Sequence, residues 1–489
     1  MPAIITNKFR VHNSEQFQES FSEASGNTYY LAIGKPQPFG IMTRGDDRTQ
    51  NLGTDTAPVT PGDNINTQHM PYDDMLAAKK ITGSDVAFVT PRRNWITNTI
   101  YDIYRHDYNE YSTGTTTNLT ATSGATTLSD ATYYVLTSAR NVYKCLDNDG
   151  ATASTVEPTG TSTTIISTAD GYKWKFMYTL SASQQANFLS TDFMAVSTDS
   201  TVSSAAVAGA INVCKIKTPG SGGTDGTFTN IAMRGDGSGG VVSVTVTSGA
   251  ITAVTVTAPG TGYTFATISN AQVVTAGSTN LVGAEIDCII EPKGGHGFNA
   301  VQELGAFFVM LNTSLEGGEI TNSGDFTTSN DFRRVMLVRD PKSGGTAATA
   351  NTLRGTKALA IASSPTPGTF TVDEEINQAS TGAVGKVVAW DATNRILYYV
   401  QTRYKDEGID TNGNQTAFSG ANVITGQTSS ATATPDTAQS GTVNNVTFSS
   451  GYTGAEIDAD TGDILYVENR APITRAADQT ENIKLIIEF

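Results

Sequence analysis

The sequence predicts a mainly β protein, all-β apart from one short N-terminal helix. Three observations carry this. Thr, Gly, Ser and Ala dominate a chain in which only 16% of residues are charged, and Thr and Val with frequent Gly favour short strands and tight turns over helices. Apolar residues make up 38% and recur in alternating runs, the period of a half-buried strand. The segment 462–489 holds two such runs, Ile464-Leu465-Tyr466-Val467 and Ile483-Lys484-Leu485-Ile486-Ile487-Glu488-Phe489, around a polar loop from Asn469 to Gln479. A closing apolar strand is expected to be tied down, with partners far away in sequence.

In chain order, residues 3–12 read as a strand. Asn13 then caps a short helix with Gln16 as its capping-box partner, and Phe17, Phe21 and Ala24 share one face. Residues 29–34 are a second strand. Residues 35–74 are rich in Pro, Gly, Asp and Thr with little periodicity, and read as a long ordered arm or loop able to lie against a neighbour. Residues 75–80 suggest a turn or two of helix, and 85–90 a strand. Residues 96–210 read as a β-rich region with strands at 142–146 and 172–180 and Trp174 in its core; 113–127 is a Thr/Gly/Ala-rich loop. From 211 the character changes. Runs beginning at Val241 and Ile251 flank Ser248-Gly249-Ala250 as a hairpin, and Pro219-Gly220 and Pro259-Gly260 echo one another at a period of about 40 residues, a duplicated β-unit. Core strands follow at 307–311 and 332–338. Residues 346–445 read as a small inserted β-barrel-like module.

Length allows about two to four domains. The net charge of −16 argues against non-specific nucleic-acid binding and against an anionic membrane surface. No run of ~18 apolar residues is present, so no membrane insertion is expected. The opening MPAIITNKFR does not read as a signal peptide. Cys145, Cys214 and Cys288 include no C-x-x-C pair and read as buried, reduced thiols of a reducing cytoplasm or a particle built there.

No catalytic constellation is visible, and no enzyme or cofactor is expected. The four histidines are scattered, no nucleophile elbow occurs, and Gly235-Asp236-Gly237-Ser238-Gly239-Gly240 lacks the Lys-Ser/Thr of a phosphate loop. Asp458, Asp460 and Asp463 are the one carboxylate group to weigh for a cation. Their spacing departs from an EF-hand loop, so a solvated turn is the expectation. Two groups are candidate subunit contacts. Arg92, Arg93 and Trp95 form a charged joint facing either another subunit or a partner within the fold. Glu468, Asn469 and Arg470 either pair with a neighbour's carboxylate or satisfy one another's strands.

Four colinear blocks resemble the baseplate wedge family called gene product 8 in T4-like contractile-tailed phages. They are Ile5-Thr6-Asn7-Lys8-Phe9-Arg10; Pro91-Arg92-Arg93-Asn94-Trp95; Val142-Tyr143-Lys144-Cys145-Leu146-Asp147 with Asp170-Gly171-Tyr172-Lys173-Trp174; and Glu468-Asn469-Arg470, Pro472-Ile473 and Asp478-Gln479-Thr480-Glu481 with the closing strand. Stretches near 215–290 and 346–445 do not match. The resemblance implies two β-sandwich domains, the second inserted in the first. Domain I comprises 1–90, 298–345 and 446–489. Domain II spans 91–210, carries a Gly/Thr-rich β insertion at 211–297, and the small module occupies 346–445. It further implies a homodimer that docks to other wedge subunits in the virion tail baseplate and takes part in its rearrangement on host contact. The alternative is a host-receptor or glycan-binding tail or fibre module, with Tyr263, Trp390 and Tyr404 lining a sugar-facing surface.

Overall fold

The computed structural model describes residues 4–23, 26–43, 49–108, 122–316, 330–403, 408–474 and 480–489. Much of the 113–127 loop, Tyr404 and residues 475–479 lie outside these. The architecture is mainly β, with antiparallel sheets throughout and short helices. No helix among the described residues is long and apolar enough to cross a membrane. The chain divides into two compact units, residues 1–16, 87–310 and 486–489, and residues 17–86 and 311–485.

The second unit is built on a five-stranded sheet in the order Thr352–Arg354, Met75–Ile81, Tyr29–Gly34, Phe332–Arg339, Asp463–Ile473. Its central strand, YYLAIG, is apolar at nearly every position because both faces are covered, and all six residues are buried. Tyr30 lies opposite Val338 and Met336 opposite Val467, so residues some 300 positions apart in the chain share one core with Ala32, Met75 and Ala78. A seven-stranded sheet in the same unit runs Thr432–Ala433, Ile424–Gly426, Glu375–Gln378, Ala383–Asp391, Ile396–Val400, Lys357–Ala360, Tyr452–Thr453. Ile376, Val387, Leu397 and Ile424 form its core with Phe370 and Phe418.

In the first unit, Lys173–Thr179 and Asn141–Asp147 pair at the centre of a four-stranded sheet, and Trp174 is fully buried there against Tyr101 and Tyr172. The strands Ser238–Thr247 and Ala250–Thr261 form the hairpin expected from their alternation, with Val242, Val244 and Val246 buried. The Pro219-Gly220 and Pro259-Gly260 segments are not free turns; each lies near the end of a strand, Val213–Ser221 and Ala250–Thr261. The chain end is tied down as expected: Thr480–Glu488 neighbours Phe308–Glu316, and the Phe489 amide donates to the Phe307 carbonyl at 3.1 Å.

Three local readings are corrected. Residues 3–12 are not a strand: a helix spans Asn7–Ser20, because the Thr6 hydroxyl accepts the Phe9 N–H and the Thr6 carbonyl accepts the Arg10 N–H at 3.2 Å. Asn13 therefore sits inside the helix and not at its cap, while Phe17 and Phe21 do share a face, ring centroids 5.0 Å apart. The run MLAAKKI has helix-favouring residues, yet Met75–Ile81 is a strand, since sheet neighbours on both edges take its backbone groups. The segment 35–74, by contrast, is ordered as expected, with two short strand pairs and a helix, Ile65–His69, capped by Asn64 among its described residues. Finally, Asn469–Ile473 is strand and not loop. Pro472 does not end it because Asp463–Ile473 is an edge strand and a register shift opposite Arg333 leaves room for the proline.

Candidate assembly surfaces

Arg92, Arg93 and Trp95 sit together just past the Val86–Pro91 strand, each half-buried. Arg92 donates from Nη1 to the Ser190 carbonyl at 2.8 Å and from Nε to Asn94 at 2.9 Å. The Arg93 guanidinium lies 4.6 Å from the Tyr134 ring centroid and donates to the carbonyls of Ala131 and Asp130. Trp95 Nε1 donates to Ser154 Oγ at 3.2 Å. All these contacts are internal to the first unit.

Glu468, Asn469 and Arg470 ride on the edge strand of the five-stranded sheet. Asn469 is the best anchored. Its Nδ2 donates to the Val59 carbonyl at 3.0 Å, and its Oδ1 accepts from Arg334 Nε at 3.2 Å. Glu468 accepts the Tyr466 hydroxyl at 2.9 Å. Arg470 is half-buried, and its guanidinium has no hydrogen bond or ion pair among the described residues. Beside this edge, a cleft of about 160 Å³ is lined by Val59, Pro61, Asn64, Met70, Arg334 and Asn469. The 35–74 segment also exposes Ile41, Val59 and Ile65, at 72%, 46% and 71%, and the edge strand exposes Leu465.

The three aspartates do not converge. Asp458 accepts the amides of Gly344 and Gly345, Asp460 meets His69 Nδ1 at 2.8 Å and Arg403 at 3.6 Å, and Asp463 pairs with Arg339 at 2.5 Å. Among the described residues no three His, Cys, Asp or Glu side chains are arranged to hold a metal ion. Of the aromatics proposed for a sugar surface, Tyr263 is buried in its own core, with its hydroxyl bonded to the Gly240 amide. Trp390 packs edge-on against Phe370 and borders a 330 Å³ cavity with Asp331 and Asp373.

Sequence reasoning missed a buried charge cluster in the first unit. Lys144 Nζ meets Glu303 Oε2 with both side chains nearly inaccessible. Glu303 also accepts the amides of Gly297 and Asn299, and His296 sits 3.9 Å from both Glu303 and Glu291. Burial alone would raise the Glu303 pKa, but Lys144 and His296 outweigh it and hold the carboxyl at about 2. Burial, then Lys144, lower the His296 pKa, so the ring is neutral. Lys144 and Glu303 are 159 residues apart, and no local spacing could announce the pair.

A family model described as bacteriophage T4 Gp8 matches residues 3–151 and 387–489, more than half of the chain. No curated protein matches the chain. The two matched stretches hold the Arg92, Arg93 and Trp95 joint, the 35–74 segment, the edge strand and the closing strand.

Proposed function

The chain belongs to the bacteriophage T4 Gp8 family, and from that premise we propose that it works mechanically, as a homodimer that docks onto neighbouring wedge proteins and holds those contacts while the baseplate rearranges on host contact. The family is a structural one of the baseplate wedge, which places the chain in the virion tail baseplate. The observation that carries the docking reading is the edge strand Asp463–Ile473. It presents Arg470, a half-buried cation with no partner among the described residues, next to the apolar side chains of the 35–74 segment. An unpaired strand edge with exposed apolar residues is a surface that a partner covers. Repetition of the wedge around the tail lets many modest contacts act together.

Two measurements test this. Light scattering of the purified chain should give a dimer mass; a trimer would point to a fibre or spike and overturn the homodimer. Arg470→Ala should melt as the parent does yet enter particles poorly. Normal melting with normal incorporation would remove Arg470 from the interface.

The second reading, recognition of a host glycan or a fibre, keeps one observation in its favour, the position of Trp390 at a cavity with two carboxylates. Trp390→Ala that assembles normally but adsorbs poorly would favour it.

A further inference from the structure

Cys214 and Cys288 face each other directly across two antiparallel strands. Val213–Ser221 pairs with Val282–Ile289 in a register that puts Cys214 opposite Cys288, and their sulfurs are 3.8 Å apart. Directly opposed residues of an antiparallel pair have Cα atoms ~4.5–5.5 Å apart, within the span a disulfide bridges. Both thiols are free, and both side chains belong to one apolar core with Ile211, Ile286 and Ile290.

We propose that Cys214 and Cys288 are a latent cross-strand disulfide, reduced where the protein is made and oxidised by a low-molecular-weight disulfide after the particle has left the cell. In the first step the thiolate of one cysteine attacks a sulfur of the small disulfide, forming a mixed disulfide and releasing one small thiol. The thiolate of the second then attacks the protein-side sulfur, closing the Cys214–Cys288 bond and releasing the other. Two protein thiols give up two protons and two electrons; one small disulfide takes them up and becomes two thiols.

Register selects this pair: all three cysteines are buried, but Cys145 lies opposite Trp174 whereas Cys214 and Cys288 lie opposite one another. The hydrogen bond with Cys288 and burial raise the Cys214 pKa, so the first attack is slow near neutral pH and faster in mild alkali. The location gives the bond a purpose. Val213–Ser221 opens the 213–289 segment and Val282–Ile289 closes it. A bond between them makes that whole excursion a closed loop whose base cannot part, even if the hairpin within it frays or is cut.

The test uses the full chain, incubated with oxidised glutathione in mild alkali, then denatured for thiol counting and mass analysis. The expected result is a fall from three free thiols to one, a mass lower by two hydrogens, and a Cys214–Cys288 linked peptide pair, with Cys145 still free. Three surviving thiols, a stable glutathione adduct, or a bond involving Cys145 would overturn the proposal. Cys214→Ser should lose the linked pair; the parent result stands whether or not that variant folds.

Discussion

Arg334 donates from Nη1 to Asp74 Oδ1 at 2.6 Å, and neither side chain is more than 5% exposed. The same guanidinium reaches Asn469 on the edge strand. The pair therefore fastens the start of Met75–Ile81 to Phe332–Arg339 and steadies the strand proposed for docking. Removing one member leaves a buried charge without its counterion. Asp74→Ala should cost about 3–5 kcal/mol, read as a lower urea midpoint. The double variant Asp74→Leu with Arg334→Met should recover only part of that loss, because the buried Lys35 ammonium also faces Asp74 and loses that countercharge.

Arg93 and Arg470 should behave oppositely when truncated. Arg93 covers the Tyr134 ring and binds carbonyls within its own unit. Arg93→Ala should destabilise by about 2 kcal/mol. Arg470 has no such partner among the described residues, so Arg470→Ala should stay within about 0.5 kcal/mol of the parent. Paired thermal melts check both.

The Lys144, Glu303 and His296 cluster should make the protein acid-sensitive in two stages. His296 faces Lys144, Glu291, Glu303 and the Tyr104 ring at 4.8 Å. Its folded pKa lies below the ordinary 6.5, so the unfolded chain binds the proton more readily and stability falls as pH drops below 6.5. Glu303 lies at about 2 against an ordinary 4.5, so its contribution is present above 4.5 and is lost as pH falls from there towards 2. Each group adds at most about 1.4 kcal/mol per pH unit. His296→Gln should flatten the upper limb and Glu303→Gln the lower one; melting temperature against pH for parent and variants separates them.

What could be read from sequence was local. The hairpin beginning at Val241, the Phe17 and Phe21 face and the buried Trp174 all follow from residues within one element. The start of the Asn7–Ser20 helix is hidden because Ile4 and Ile5 imitate a strand, while the Thr6 cap that starts it is a single hydroxyl. Met75–Ile81 reads as helix from its own residues, yet its partners, Tyr29–Gly34 and Thr352–Arg354, decide its state. The loop reading of Asn469 rests on polarity after a strand, and an edge strand carries polar residues as well. Lys144 with Glu303 and Cys214 with Cys288 are invisible as pairs, since packing of the Asn141–Asp147 strand near the short Ala300–Glu303 helix brings the first together and sheet register the second.

Gly260 and Gly283 separate backbone strain from crowding. Both have positive φ, +67° and +71°, so a side chain at either position incurs left-handed strain. Around Gly283 nothing lies within 4 Å of a Cβ; at Gly260 a Cβ would meet the Gly240 nitrogen at 2.5 Å and the Ser238 carbonyl oxygen at 2.6 Å. Gly283→Ala should therefore cost about 1 kcal/mol, the conformational strain alone. Gly260→Ala must also push apart two backbones of the hairpin and should cost roughly 3 kcal/mol or more. Thermal melts of the two variants give the answer. Equal losses would mean that the hairpin yields at no cost, and the difference between them measures how rigidly Ser238–Thr247 and Ala250–Thr261 are held together.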